Sequence, residues 1–131
     1  MTYNMKTVFI SGPFRGHNTW DTEQKIRRAE ALSFEVWKLN EQGLRVTVIC
    51  SHTNSRFFDE TIDDKYFLEG YLALLLKSDV MLVTPDWESS EGARDEVRFC
   101  RKHGILVVYS IEELKDWLED FRAVHDANPG L

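Results

Sequence analysis

Five carboxylates crowd the stretch PDWESSEGARDEVRFC, residues 85–100: Asp86, Glu88, Glu91, Asp95 and Glu96. Most acidic side chains are solvated surface decoration, so chemistry needs one that is held away from water. Residues 90–103 carry apolar positions at helical spacing, and a helix advances about 100° per residue. With Ala93 at zero, Val97 falls at about 40° and Cys100 at about −20°, which defines a buried stripe. Asp95, at about 200°, shares an outer face with Arg98 at about 140° and is read as solvated. Glu96 falls at about −60°, beside Phe99, Cys100 and His103, at the border of the stripe. A partly desolvated carboxylate there is suited to attack carbon or to stabilise a developing positive charge. The first turns of a helix favour its ionised form. A boundary glutamate that merely caps the helix or pairs with an arginine also fits the angle.

The neighbours of Glu96 add to the chemistry. Gly92, at the helix start, lets a ligand approach the backbone. Ser89 and Ser90 offer hydroxyls and N–H groups at a helix N-terminus, where an anion is favoured. Either serine also serves as an N-cap. Asp86, Glu88 and Glu91 precede or open the helix and suit its dipole. His52 stands in a polar stretch after an apolar run, while His17 reads as solvated. No set of histidines and carboxylates has metal-binding spacing, so no metal and no cofactor are expected.

The elements that position these residues follow from the pattern along the chain. Short apolar runs at Thr7–Ser11, Leu44–Cys50, Val80–Thr84 and Ile105–Ser110 read as buried strands. Helical periods fill the intervals. Ile26, Ala29, Leu32, Val36 and Leu39 mark one helix, with Asp21 and Gln24 as a capping box and Gly43 as its stop. Further helices are expected at Asp63–Lys77, Ser90–His103 and Ile111–Val124, with residues 51–60 as a loop and 125–131 as a flexible tail. Strands alternating with helices predict an α/β fold: one doubly wound, Rossmann-like or flavodoxin-like domain, residues 1–131, with a mainly parallel sheet of four strands or slightly more. Ligands of such folds bind outside the strands' carboxyl ends, where strand order reverses. The loops 12–18, 51–60 and 85–91 are thereby brought together.

Bulk composition narrows the partners. The chain has 131 residues, 43% of them hydrophobic and 29% charged, with a net charge of −6. That balance argues against a polymeric nucleic acid held by a general positive field. No run reaches the length of a membrane span and no cleavable leader is read, so a cytoplasmic protein is expected. The cysteines, Cys50 and Cys100, lie in apolar stretches and read as buried reduced thiols.

Three motifs in order, SGPFRG after the first strand, SDVMLV into the third, and S-x-G-A-x-x-E opening a helix, resemble the nucleoside 2-deoxyribosyltransferase-like superfamily. The resemblance spans roughly residues 6–110 and is strongest to its small phage and bacterial members and to the nucleoside 5'-monophosphate N-glycosidases. It implies a small-molecule nucleoside or nucleotide as substrate and Glu96 as the nucleophile. It implies Gly12, Phe14, Arg15 and Gly16 as the cradle of sugar or 5'-phosphate, Ser90 and Ser89 as phosphate contacts, and His52 as a ligand contact. Where the superfamily usually has an aspartate, eight residues before Asp79, this chain has Tyr71. Tyr71 then takes a modified role, or another acid such as Asp64 substitutes, or the usual activity is lost. The chemistry implied is cleavage of an N-glycosidic bond, through an oxocarbenium-like transition state resembling that of glycosides, by hydrolysis or base transfer. A non-catalytic nucleotide-binding or sensing module is the alternative. Phe14, Trp87 or Tyr66 could stack on a base, although Trp87 also reads as a packed loop anchor. Arg15 suits a phosphate or, equally, solvent. Superfamily members are commonly dimers or larger, and the apolar helix Tyr66–Leu76 suits such an interface.

Overall fold

A computed structural model describes residues 4–55, 58 and 61–127. Its strands are β1 (Lys6–Ser11), β2 (Val46–Cys50), β3 (Val80–Val83) and β4 (Leu106–Val108). Its helices are α1 (Thr19–Lys38), α2 (Ser51–Asn54), α3 (Asp64–Leu76), α4 (Glu91–His103) and α5 (Ile111–Ala127). All pairings are parallel, in the order β2-β1-β3-β4. The expected α/β class and doubly wound sheet are therefore observed. Strand order reverses between β1 and β3, so a crevice opens beyond their carboxyl ends.

Side chains alternate across the sheet, and the alternation sorts the core into two layers. Val8, Ile10, Val80, Leu82 and Val108 pack with Ala29 and Val36 of α1 and with Leu114 and Leu118 of α5. Phe9, Met81 and Val83 face the other way, against Leu75 of α3 and Val97 and Cys100 of α4. Ser11 is two residues beyond Phe9, so it shares the α3/α4 face and meets that layer at the strand's end.

Element ends show local chemistry that differs in places from the sequence reading. Asn18 caps α1 by accepting from the Asp21 amide at 2.8 Å, so the capping box proposed at Asp21 and Gln24 is corrected. Asp21 sits inside the first turn and accepts from the His17 amide at 3.0 Å. A 3₁₀ turn, Leu39–Gln42, extends α1 to Gly43, whose φ of 79° closes it in the left-handed region that glycine tolerates. The stretch after β2 is not all loop, because Ser51–Asn54 makes one helical turn; residues 56, 57, 59 and 60 lie outside the described residues. Helix α5 runs to Ala127, three residues past its expected end, and residues 128–131 of the expected tail lie outside the described residues. Asp79 has a structural part: its carboxylate accepts from the Thr7 amide at 2.7 Å, and its amide donates to the Thr7 carbonyl at 2.9 Å. This double clip fixes where β3 starts against β1. Among the described residues, no helix is long and apolar enough to cross a membrane.

Candidate active site

The reversal between β1 and β3 holds a cavity of about 660 Å³. Nine predicted site residues line it. Gly12, Phe14 and Arg15 come from the loop after β1, and His52 comes from α2. Ser89 and Ser90 come from the approach to α4, Tyr71 from α3, and Gly92 and Glu96 from α4 itself. Phe67, Leu68, Leu72 and Phe99 supply an apolar wall that the sequence reading did not assign.

Glu96 enters the cavity lining from the second turn of α4. Ser11 Oγ donates to its Oε1 at 3.0 Å, across the β1–α4 packing. Its expected ionised state is corrected. Burial pushes the carboxyl from its ordinary 4.5 up to about 7, against the opposing pull of the Ser11 hydrogen bond and the nearby His52. Asp95 adds a smaller upward push. Near neutral pH the acid and carboxylate forms are therefore both populated. The helix terminus that would favour the anion is outweighed by loss of water, the ordinary result for a carboxyl in an apolar wall. Asp95, by contrast, pairs with Arg98 on the exposed face, as its helical angle predicts.

The β1 loop sits close to its surroundings for steric reasons. A Cβ on Gly12 would collide with the Thr84 side chain, so the β1 and β3 loops can approach only through glycine. Arg15 Nη2 reaches Asp64 Oδ2 at 2.6 Å, which links this loop to the start of α3 across the cavity mouth. Asp64 therefore lines the cavity as a partner of Arg15. Lys25 of α1 places a second cation there and donates to the Arg15 carbonyl at 3.2 Å. Lys25 lies four residues after Asp21, at ion-pair spacing, which was the one signal that could have drawn attention to it.

His52 is 2% exposed. Its Nε2 lies 2.9 Å from the Pro13 carbonyl, and its ring meets Phe14 edge-on with centroids 5.7 Å apart. The ring therefore shapes the site by bracing the β1 loop from beneath. Tyr71 donates its hydroxyl to Ser55 Oγ. Ser90 is the N-cap of α4 and accepts from the Ala93 amide at 3.1 Å, while Ser89 donates to the Asp86 carbonyl at 2.7 Å. A Cβ on Gly92 would meet only Ser90 Oγ, at 3.8 Å, so the space above that glycine is open toward the cavity.

Two assignments are corrected. Gly16 does not line the cavity; its amide donates to Thr22 Oγ1 at 2.9 Å, and a Cβ there would strike Asp21. Trp87 turns away, because the 3₁₀ turn Trp87–Ser89 lays its indole on the α3/α4 core and against Tyr109, with centroids 5.7 Å apart. Tyr66 is exposed and is also not among the cavity residues. Phe14 is the stacking candidate that reaches the cavity. Asp86 does more than suit a dipole: it accepts from Thr84 Oγ1 and from Arg28 Nη1, each at 2.8 Å, and so ties the β3 loop to α1. No group of three potential metal ligands occurs among the described residues.

Comparison with curated proteins found no match, and comparison with solved structures found none. A family profile described as Domain of unknown function (DUF4406) matches residues 6–109, from the start of β1 to just beyond β4. That match covers the sheet and every lining residue described above, and the chain belongs to this family.

Proposed function

We propose that the chain cleaves the N-glycosidic bond of a nucleoside or nucleoside 5'-monophosphate, with Glu96 as the carboxylate nucleophile. The observation that carries this reading is the buried Glu96 carboxyl, held by Ser11 at the strand reversal and opening on a cavity of about 660 Å³. Cavities of this size hold small cofactor-like molecules. In the reaction, the Glu96 carboxylate attacks the anomeric carbon as the bond to the base breaks. The departing base takes a proton, for which the hydroxyls of Tyr71 and Ser55 line the same cavity. Water then releases the sugar from the ester, or a second base captures it. Phe14 offers a face or edge to the base. Arg15, Lys25 and the first amides of α4 favour a 5'-phosphate, and hence the hydrolytic variant.

The test is incubation with ribo- and deoxynucleosides and their 5'-monophosphates, read as free base by chromatography. Base release that disappears in Glu96→Gln supports the proposal. Release that survives in that variant overturns the assignment of Glu96. Adding a second free base separates transfer from hydrolysis.

The bond between Tyr71 and Ser55 favours a second reading. A tyrosine is a poor general base at neutral pH, and here its hydroxyl is engaged. A nucleotide-binding module without turnover would keep the same cavity. It would raise the melting temperature with nucleotide while releasing no base. Helix α3 also exposes Tyr66, Leu68 and Leu76, which supports self-association of the chain through this helix. Light scattering after gel filtration checks it.

A further inference from the structure

Breaking an N-glycosidic bond leaves an electron pair on the base, and a neutral base needs a proton as it departs. A general acid that supplies such a proton contributes about 10²–10⁴-fold. Around the Glu96 cavity the groups that might act as that acid are engaged elsewhere. Glu96 itself must be ionised to attack carbon. Asp64 is bound to Arg15 at 2.6 Å, and Asp95 pairs with Arg98. Lys25 is held by the Arg15 carbonyl at 3.2 Å and by Asp21 at 3.7 Å. Glu91 is exposed in the first turn of α4, where the helix dipole favours its charged form.

His52 withholds both of its nitrogens. Nε2 faces the Pro13 carbonyl at 2.9 Å. Nδ1 is closed to solvent and has no hydrogen-bond partner among the described residues, so neither nitrogen is offered to a ligand. Tyr71, Ser51, Ser55, Ser89 and Ser90 bring hydroxyls to the lining. Hydroxyls can steady a departing base, but they are weak acids near neutrality, and that of Tyr71 already donates to Ser55. The thiols are out of reach. Cys100 is buried in the α3/α4 layer, whereas Cys50, partly exposed where burial was expected, packs on the opposite face of the sheet. Neither is in a disulfide.

The lining offers negative charge and aromatic faces instead. Among its described residues, Asp64, Glu91, Asp95 and Glu96 outnumber the cations Arg15 and Lys25. Phe14, Phe67, Phe99 and Tyr71 supply rings, and a ring face attracts a flat cation. The chain's net charge of −6 acts in the same direction. We propose that the substrate of this cavity is an N-glycoside whose base already carries a positive charge, as in an N-alkylated purine nucleotide. The inference rests on the reading of Glu96 as nucleophile. A cationic base needs no acid. As a Glu96 carboxylate oxygen bonds to the anomeric carbon, the C–N bond breaks and its electron pair cancels the charge on the ring. The base departs neutral. Water then opens the glycosyl ester, the sugar keeps the new hydroxyl, one proton passes to solvent, and Glu96 is left as a carboxylate. The positive charge that enters with the base leaves as that proton.

The test compares 7-methylguanosine with guanosine, and 7-methyl-2'-deoxyguanosine with its unmethylated parent, each as nucleoside and as 5'-monophosphate. It is run on the wild-type protein at about pH 6.5, where the methylated base is cationic. Free base is read by chromatography, with spontaneous release subtracted. In the best-cleaved pair, kcat for the methylated member should exceed that for the neutral one at least about 100-fold, the low end of what a general acid supplies. A smaller ratio means that the cavity protonates its leaving group; it overturns this inference and leaves the role of Glu96 standing. If no guanine compound is cleaved while another neutral nucleoside or nucleotide is, the inference likewise falls and the cleavage reading stands. Release from none of them overturns both. Release of 7-methylguanine that persists undiminished in Glu96→Gln removes the nucleophile on which the inference rests, and overturns it as well.

Discussion

The sheet face under α1 and α5 and the face under α3 and α4 are built from the same alternating strands, yet they finish differently. The first has an apolar centre, with Val8, Ile10, Val80 and Leu82 packed against Ala29, Val36, Leu114 and Leu118. The second admits Ser11 at the end of β1 and Glu96 on α4, and its helix α3 buries only Leu75. Packing is incomplete there, which leaves the cavity, and Glu96 loses more to burial than Ser11 and His52 return. The closed face supplies stability, and the open face supplies a group whose protonation is balanced near neutrality. The same inference applies to Asp95 and Glu96, adjacent in sequence, of which one pairs in solvent with Arg98 and the other titrates at about 7.

That contrast can be broken by substitution. The largest expected effect is on the open face. Glu96→Gln should lower base release at least about 1000-fold, measured by chromatography under saturating substrate, as loss of a nucleophile does. Next is the closed face, where Leu114→Ala should cost about 2–5 kcal/mol in urea unfolding while base release per folded molecule stays the same. A loss of turnover there without loss of stability would erase the division between faces.

A third effect joins the two. The folded value for Glu96, about 7, lies above the ordinary 4.5, so its contribution to stability is full below about 4.5 and is lost as pH rises through about 7. Glu96→Gln should therefore be more stable than wild type at pH 8, by about 2–3 kcal/mol relative to the difference at pH 4. Chemical denaturation at both pH values reads this directly. Smaller again is the pH dependence of turnover. A nucleophile must be ionised, so kcat/KM should rise about 10-fold from pH 6 to pH 8; a fall over that range would make Glu96 an acid instead. Ser11→Ala removes a hydrogen bond that favours the anion and should move the midpoint upward. Trp87→Phe should change nucleotide affinity less than about 2-fold, because the indole packs on the core away from the cavity.

What the sequence disclosed follows the range of each interaction. Strand alternation and helical period are local, so the α/β order, the buried stripe of α4 and the separation of Asp95 from Glu96 were all legible. The partner of Glu96 was not, because Ser11 is 85 residues away and becomes a neighbour only through β1–α4 packing. The bond from Tyr71 to Ser55 and the pair of Arg15 with Asp64 were hidden for the same reason. Trp87 was left between base stacking and loop anchor, and the anchor holds, because a single 3₁₀ turn decides where an indole points and has no period to read. The ionisation of Glu96 was misjudged because a helix terminus is visible in a sequence, whereas the depth of water exclusion is not.

The tie between Arg15 and Asp64 has a consequence for how the cavity admits its guest. Both side chains are about half exposed, at 54% and 47%. Such a clasp is worth at most about 1 kcal/mol and weakens as ions screen it. A ligand with no charge must leave the clasp shut or break it for nothing in return. A phosphate can trade places with Asp64, one anion for another on the same guanidinium. Dissolved salt therefore acts as a second key to this mouth. On the proposed reading, raising it should quicken uncharged nucleosides and slow their phosphorylated forms, so that ionic strength would select between them.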